Sequence, residues 1–185
     1  MMTEISLNIL DVAENSTRAG ASLVTILIDI SSADDTLKVV IADDGCGMTP
    51  EQVAKVTDPF FTTRTTRKVG LGVPFFKMAA ESSGGSFDIV SEVNVGTTVT
   101  AIFGLTNIDR MPLGDITSTM HNLIVYHPES DFYYRYTVNG ESFTLDTREI
   151  REVLGGVPFD VPEVSAYIRE YLEENKQEID KEEIY

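Results

Sequence analysis

The sequence predicts an α/β fold, and three observations predict it. Ile5, Ile9 and Val12 recur at the helical period, so residues 3–19 read as a helix with one buried face. Residues 23–30 and 36–42 are short runs rich in β-branched side chains, separated by Ser31, Ser32, Ala33, Asp34 and Asp35, and read as two strands around a polar turn. Residues 71–83 are amphipathic and stop at Gly84-Gly85; two alternating segments, 86–91 and 97–105, then flank a turn containing Asn94 and Gly96. Helix and strand signals interleave in this way through residue 106.

The remaining elements follow in order. Gly20 ends the first helix, and residues 50–56 form a short helix with Thr49 as N-cap and Pro50 and Glu51 in its first turn. Residues 57–68 have no period. Pro112 and Gly114 punctuate another aperiodic stretch, so residues 107–118 read as a linker between a unit at 1–106 and a small hairpin-plus-helices unit at 119–185. Asn139-Gly140 tolerates positive φ at both turn positions and predicts a hairpin between 132–138 and 141–145. Asp146 with Glu149 opens a short helix to Leu154, stopped by Gly155-Gly156. A last helix over residues 162–175 frays into an acidic tail. Phe132, Tyr134 and Tyr136 share one strand face and read as core, and Val164, Tyr167, Ile168, Tyr171 and Leu172 form a stripe that docks on the hairpin or serves a partner.

Composition narrows the function. The 185 residues carry 14 basic and 30 acidic side chains, a formal charge of −16, with −6 up to residue 106 and −10 beyond it. Such a polyanion does not attract nucleic acid or an anionic membrane through its overall field. Cys46 is the single cysteine, so no internal disulfide forms, and the N-terminus has no signal-like pattern. With no apolar run long enough to span a bilayer, the expected compartment is the cytoplasm.

Four clusters carry chemistry. Asp43-Asp44-Gly45-Cys46-Gly47 follows a strand; a carboxylate fixed there accepts from the exocyclic amine of adenine and repels the carbonyl that guanine presents. Gly45 and Gly47 would let backbone approach a base and adopt positive φ, although an acidic turn reads the same way in isolation. Gly70-Leu71-Gly72 precedes a helix whose N–H groups can cradle phosphate oxygens. Arg64, Arg67 and Lys68 lie just before it and could supply cationic donors, or form a solvated basic loop. Asp11 and Asn15, four apart on the first helix, project from one face; the amide oxygen suits Mg²⁺ and the carboxylate suits a base, unless both simply face water.

In chain order, Asp11-Val12-Ala13-Glu14-Asn15, Asp43-Asp44-Gly45-Cys46-Gly47, Asp58-Pro59-Phe60-Phe61-Thr62-Thr63-Arg64, Gly70-Leu71-Gly72 and Gly96-Thr97-Thr98 resemble the N, G1, F, G2 and G3 boxes of the Bergerat-fold (GHKL) ATPases. The PFFTT run and the closing GTT strand resemble the histidine-kinase branch, and ENSTRAGA is similar to a mismatch-repair motif. The resemblance covers residues 3–105. It implies a two-layer α/β sandwich holding Mg·ATP, with Asn15 on the metal, Asp43 on adenine, Thr98 near the adenine end, and Gly45, Gly47, Gly70, Leu71 and Gly72 shaping the pocket. Phe61, Thr62, Arg64, Arg67 and Lys68 would complete it. Asp11 stands where many members that hydrolyse ATP carry Glu, one methylene longer, and Asp44 replaces a common Asn at a position expected to tolerate change.

A phosphoacceptor-histidine hairpin has no room ahead of Asp11, and His121 and His127 both lie beyond the expected linker. The resemblance therefore implies an ATP-dependent signalling or regulatory protein. It would transfer the γ-phosphoryl to a protein partner or hydrolyse it, or act without turnover as an ATP-sensing module that controls a partner. The oligomeric state is not set by the sequence.

Overall fold

Leu23–Ser31 forms the strand β1, in which Val24, Ile26, Ile28 and Ile30 are all buried while the alternate residues are not, as a strand with one packed face requires. The computed structural model describes residues 2–58 and 71–185. Among these, the elements are α1 (Ile5–Arg18), β1, β2 (Thr36–Asp43), α2 (Pro50–Val56), α3 (Gly72–Ser82), β3 (Ser86–Glu92), β4 (Gly96–Gly104), α4 (Ile116–Tyr126), β5 (Asp131–Val138), β6 (Glu141–Asp146), α5 (Thr147–Leu154) and α6 (Pro162–Asp180).

The described strands form one sheet in the order β3-β4-β2-β1-β5-β6. All pairings are antiparallel except β1 with β5, which run parallel with Leu23 opposite Asp131 and Ile30 opposite Val138. Helices cover the sheet in the same sequence: α3 on β3 and β4, α1 on β2 and β1, α4 on β5, and α6 on β5 and β6. Neighbouring helices also touch, α3 with α1, α1 with α4, and α4 with α6. The result is the two-layer α/β sandwich expected, with the core between the layers.

The hairpin expected beyond the linker continues this sheet. Ser130 donates to the Ala21 carbonyl at 2.8 Å and β5 lies along β1, so residues 131–146 extend the sheet of residues 23–104. The aperiodic stretch before it is anchored as well. Ile5 and Ser6 donate backbone bonds to the Pro112 and Leu113 carbonyls, Leu113 donates to the Tyr185 carbonyl, and Leu113 is buried. Residues 116–118 belong to α4, a helix the sequence reading passes over, opened by the Asp115 carboxylate accepting from Ser118 N–H at 2.9 Å.

One further end differs from expectation for a physical reason, and the hairpin turn lies where it was expected. Helix α6 runs to Asp180 instead of fraying after residue 175, because buried Asp180 accepts from Tyr136 Oη at 2.7 Å and pairs with Lys176, tying the last turn to β5. Asn139 and Gly140 both take positive φ, 49° and 86°, and make the tight β5–β6 turn. Among the described residues no helix is long and apolar enough to cross a membrane.

Candidate nucleotide site

Helix α1 turns Ile5, Ile9, Val12 and Ala13 into the core, and Ser16 lies on the same stripe. A hydroxyl in an apolar face needs a partner. It finds one across the layers: Ser16 Oγ donates to Asp43 Oδ2 at 2.5 Å, where β2 ends. The other carboxylate oxygen of Asp43 accepts from Gly45 N–H at 2.9 Å. Asp43 is thus fixed in orientation, remains partly exposed, and keeps a lone pair on each oxygen for a further donor.

The turn after Asp43 is built around its glycines, in two different ways. Gly47 has φ +67°, and a Cβ there would lie 1.9 Å from the Glu92 carbonyl oxygen, so the loop packs against the β3–β4 turn at van der Waals limits. Gly45 does not take the positive φ expected of it. What it lacks is space, since a Cβ would lie 2.9 Å from Ala19 Cβ and 3.0 Å from Asp43 Oδ1. Asp44, expected to be tolerant, accepts from Ser22 and Leu23 N–H at 2.7 and 2.9 Å and laces the end of β2 to the start of β1. Asn would keep that oxygen. Thr98 sits on β4 opposite Ala42, one residue from Asp43 along the neighbouring strand, and half-exposed.

At the middle of α1, five residues before Ser16, Asp11 faces the first turn of α3. A Cβ on Gly72 would fall 1.8 Å from Asp11 Oδ2, so the carboxylate occupies the space a side chain would need. Negative charge is favoured there by the helix dipole and the free N–H groups of the first turn. Asn15, one turn along α1, accepts from Arg18 at 3.0 Å through Oδ1, and Arg18 also pairs with Glu14. Leu71, the N-cap of α3, is exposed. Phe61, Thr62, Arg64, Arg67, Lys68 and Gly70 lie outside the described residues.

These donors and acceptors fit a nucleotide. Asp43 suits an exocyclic amine, and the N-terminus of α3 suits phosphate. Among the described residues no group of three or more His, Cys, Asp or Glu gathers. The Asn15 amide supplies a hard oxygen of the kind Mg²⁺ takes, one or two from protein alongside waters and phosphate oxygens.

The histidines are held by other partners. Arg169 lies 3.3 Å from His121 Nδ1, and His121 Nε2 lies 2.8 and 3.1 Å from the Ser165 hydroxyl and carbonyl. His121 thereby joins α4 to α6 in a buried position, and His127 bonds Glu129. Sequence reasoning missed Ser16; its signal was a hydroxyl on the apolar stripe of α1, directly after Asn15.

The chain is similar to known proteins in sequence and in fold. The sensor protein SrrB of Staphylococcus aureus (strain NCTC 8325 / PS 47) is 35% identical over 102 residues, which are 52% of this chain and 17% of SrrB. The chain thus spans about a sixth of the relative it matches. A crystal structure of the N-terminal domain of a DNA repair protein superposes with a TM-score of 0.55 at 12% identity, covering 78% of this chain and 53% of the other, a likeness of fold. Because residues 1–107, more than half of the chain, match the family of histidine kinase-, DNA gyrase B- and HSP90-like ATPases, the protein belongs to that family and carries its ATP-binding, histidine-kinase-like domain.

Proposed function

We propose that the protein binds Mg·ATP between Asp43 and the N-terminus of α3 and transfers the γ-phosphoryl to a hydroxyl or other acceptor on a partner protein, or to water. The observation that carries this reading is that one helix, α1, registers both ends of the site. Ser16 holds the adenine-facing carboxylate of Asp43 while Asp11, five residues and about 7.5 Å away along the axis, stands against Gly72. In this reading Asp43 selects adenine, Thr98 flanks it, and the first-turn amides of α3 hold phosphate oxygens. Asp11 accepts the proton of the attacking group. Bound Mg²⁺ would neutralise phosphate charge, with the Asn15 amide oxygen released from Arg18 to hold it. Phe61, Thr62, Arg64, Arg67, Lys68 and Gly70 would complete the phosphate end.

The Asn15–Arg18 bond favours a second reading as well, an ATP-sensing module in which nucleotide breaks that bond and changes partner affinity without turnover. Calorimetry with Mg·ATP, GTP as competitor and Asp43→Ala tests the common part. Saturable ATP binding lost in the variant is expected, and equal binding of GTP would overturn the assignment of Asp43. Transfer from γ-labelled ATP then separates the readings. Asp11→Asn should abolish transfer and spare ATP affinity; an undiminished rate removes Asp11 as base, and no transfer by the wild type leaves the sensing module.

A further inference from the structure

A recess lies at the β6 edge of the sheet, away from the candidate nucleotide site. It encloses about 530 Å³ between β6, α5 and α6, and its floor and walls include Leu145, Ile150, Val153, Val164, Tyr167 and Ile168. That volume exceeds what one side chain fills and lies in the range of ligand and peptide clefts. The sequence of α5 explains why it stays open. Ile150, Val153 and Leu154 fall at i, i+3 and i+4 and make an apolar stripe, yet Thr147 is the only buried residue of this helix. Val153 is 87% exposed and Tyr167, facing the same recess from α6, is 58% exposed. Ile150 and Leu154 pack partly against the core, and Val153 beside them is left as an uncovered apolar position on the wall of the recess.

The surroundings specify the charge of that partner. Residues 141–175 carry nine carboxylates against three arginines. Each arginine is already committed: Arg148 to Asp146, Arg151 to Asp131 and the Pro128 carbonyl, and Arg169 to Ser118, His121 and Glu173. Glu149 and Glu163 line the recess and make no ion pair among the described residues. The potential at the rim is therefore negative around an apolar centre.

The backbone specifies the shape. Strand β6 is the sheet edge, and an added strand is one way to use such an edge. Here Tyr171 Oη donates to the Thr144 carbonyl at 2.9 Å, which occupies an outward acceptor of β6 and places a ring across it. Side chains projecting from a helix can enter the recess; a strand pairing along β6 would have to displace Tyr171.

We propose that this groove docks a basic amphipathic helix of a partner protein, its apolar residues at i, i+3, i+4 and i+7 filling the recess and its Lys and Arg side chains meeting Glu149, Glu163 and the surrounding carboxylates. The surface goes beyond the nucleotide reading and does not rest on it. The chain has no tryptophan, so a peptide carrying one Trp among its apolar anchors reports its own burial without background.

The probe is a helical peptide with Leu and a single Trp at those spacings and Lys or Arg elsewhere, titrated with the full chain by Trp emission. Its counterpart with Glu in place of Lys and Arg is the control. Expected are saturable blue-shifted binding of the basic peptide, a loss of affinity of about tenfold or more in Val153→Asp, and no change in Ile108→Asp, a remote exposed site. Glu149→Gln with Glu163→Gln should weaken binding and flatten its dependence on salt up to about 1 M, where screening reaches about 3 Å. Thermal melts confirm that each variant folds. Equal binding of the acidic peptide, or full binding by folded Val153→Asp, overturns the proposal. So does sedimentation as a dimer that Val153→Asp dissolves, which would assign the groove to a second copy of this chain.

Discussion

Replacing Gly72 with Ala tests the contact between α1 and α3 that places Asp11. The added Cβ would lie 1.8, 2.6 and 2.9 Å from Oδ2, Cγ and Cβ of Asp11, so the carboxylate must swing aside or α3 must retreat. Overpacking of this kind costs about 1–3 kcal/mol. Ala in place of Gly within a helix returns at most about 1 kcal/mol. The single variant should therefore lose up to about 2 kcal/mol, a drop in Tm of roughly 2–4 °C per kcal/mol for a chain of this size. In an Asp11→Ala background the two closest overlaps vanish and only the contact with Cβ at 2.9 Å is left, so the same substitution should become neutral or stabilising. Urea unfolding of the four proteins of this cycle should give a coupling of about 1–2 kcal/mol. Additivity within about 0.5 kcal/mol would refute the reasoning, because residues that do not touch add in this way. Transfer or ATPase activity, measured on the same proteins, should fall about a hundredfold in Gly72→Ala through misplacement of Asp11.

Tyr136→Phe removes a donor from the buried Asp180 carboxylate and should cost about 1.5–3 kcal/mol, read as a lower urea midpoint at unchanged slope. The phenols of Tyr134 and Tyr136 are held above their ordinary value of 10.0, first by burial and then by Asp180, and that of Tyr185 is pushed up to about 12 by burial and its bond to Glu183. Raised folded values mean that this stability is complete below pH 10 and drains as pH climbs through 10 toward 12 and beyond, so circular dichroism should record alkaline unfolding, less steep in Tyr136→Phe. A flat profile across that window would contradict the burial of these rings. Asp115→Ala should lower the Tm by roughly 2–4 °C through loss of about 1 kcal/mol of capping. The Ser118 backbone bond holds the Asp115 carboxyl below its ordinary 3.8, so its stabilisation is present above that value and lost as pH falls through the depressed one. Wild type and variant should converge in acid.

Local signals made most elements readable. The period of Ile5, Ile9 and Val12, the Asn139-Gly140 turn and the Thr49 cap each act within a few residues, and each element lies where they place it. Helix α4 escaped because Ile116, Thr117, Thr119 and Val125 have poor helix propensity, although Ile116, Met120, Leu123 and Ile124 keep the helical spacing. At the site, Asp43 announced itself as a carboxylate between a strand and two glycines. Ser16 did not, since nothing in its neighbourhood reveals a partner 27 residues away. The recess beside α5 was half visible: the stripe on α6 was legible, but the wall that α5 leaves uncovered depends on tertiary placement.

The parallel pairing of β1 with β5 sets a schedule for the nascent chain. Its partners are more than a hundred residues apart, and no tight turn can join them. At about 5–20 residues per second, ribosomal synthesis separates β1 from β5 by roughly 5–20 s. Throughout that interval β1, with its row of Val24, Ile26, Ile28 and Ile30, presents an unpaired edge next to an apolar face. The segment that matches an ATPase family is thus translated first but left with an open flank, and closing it is the task of the residues that lie outside the match.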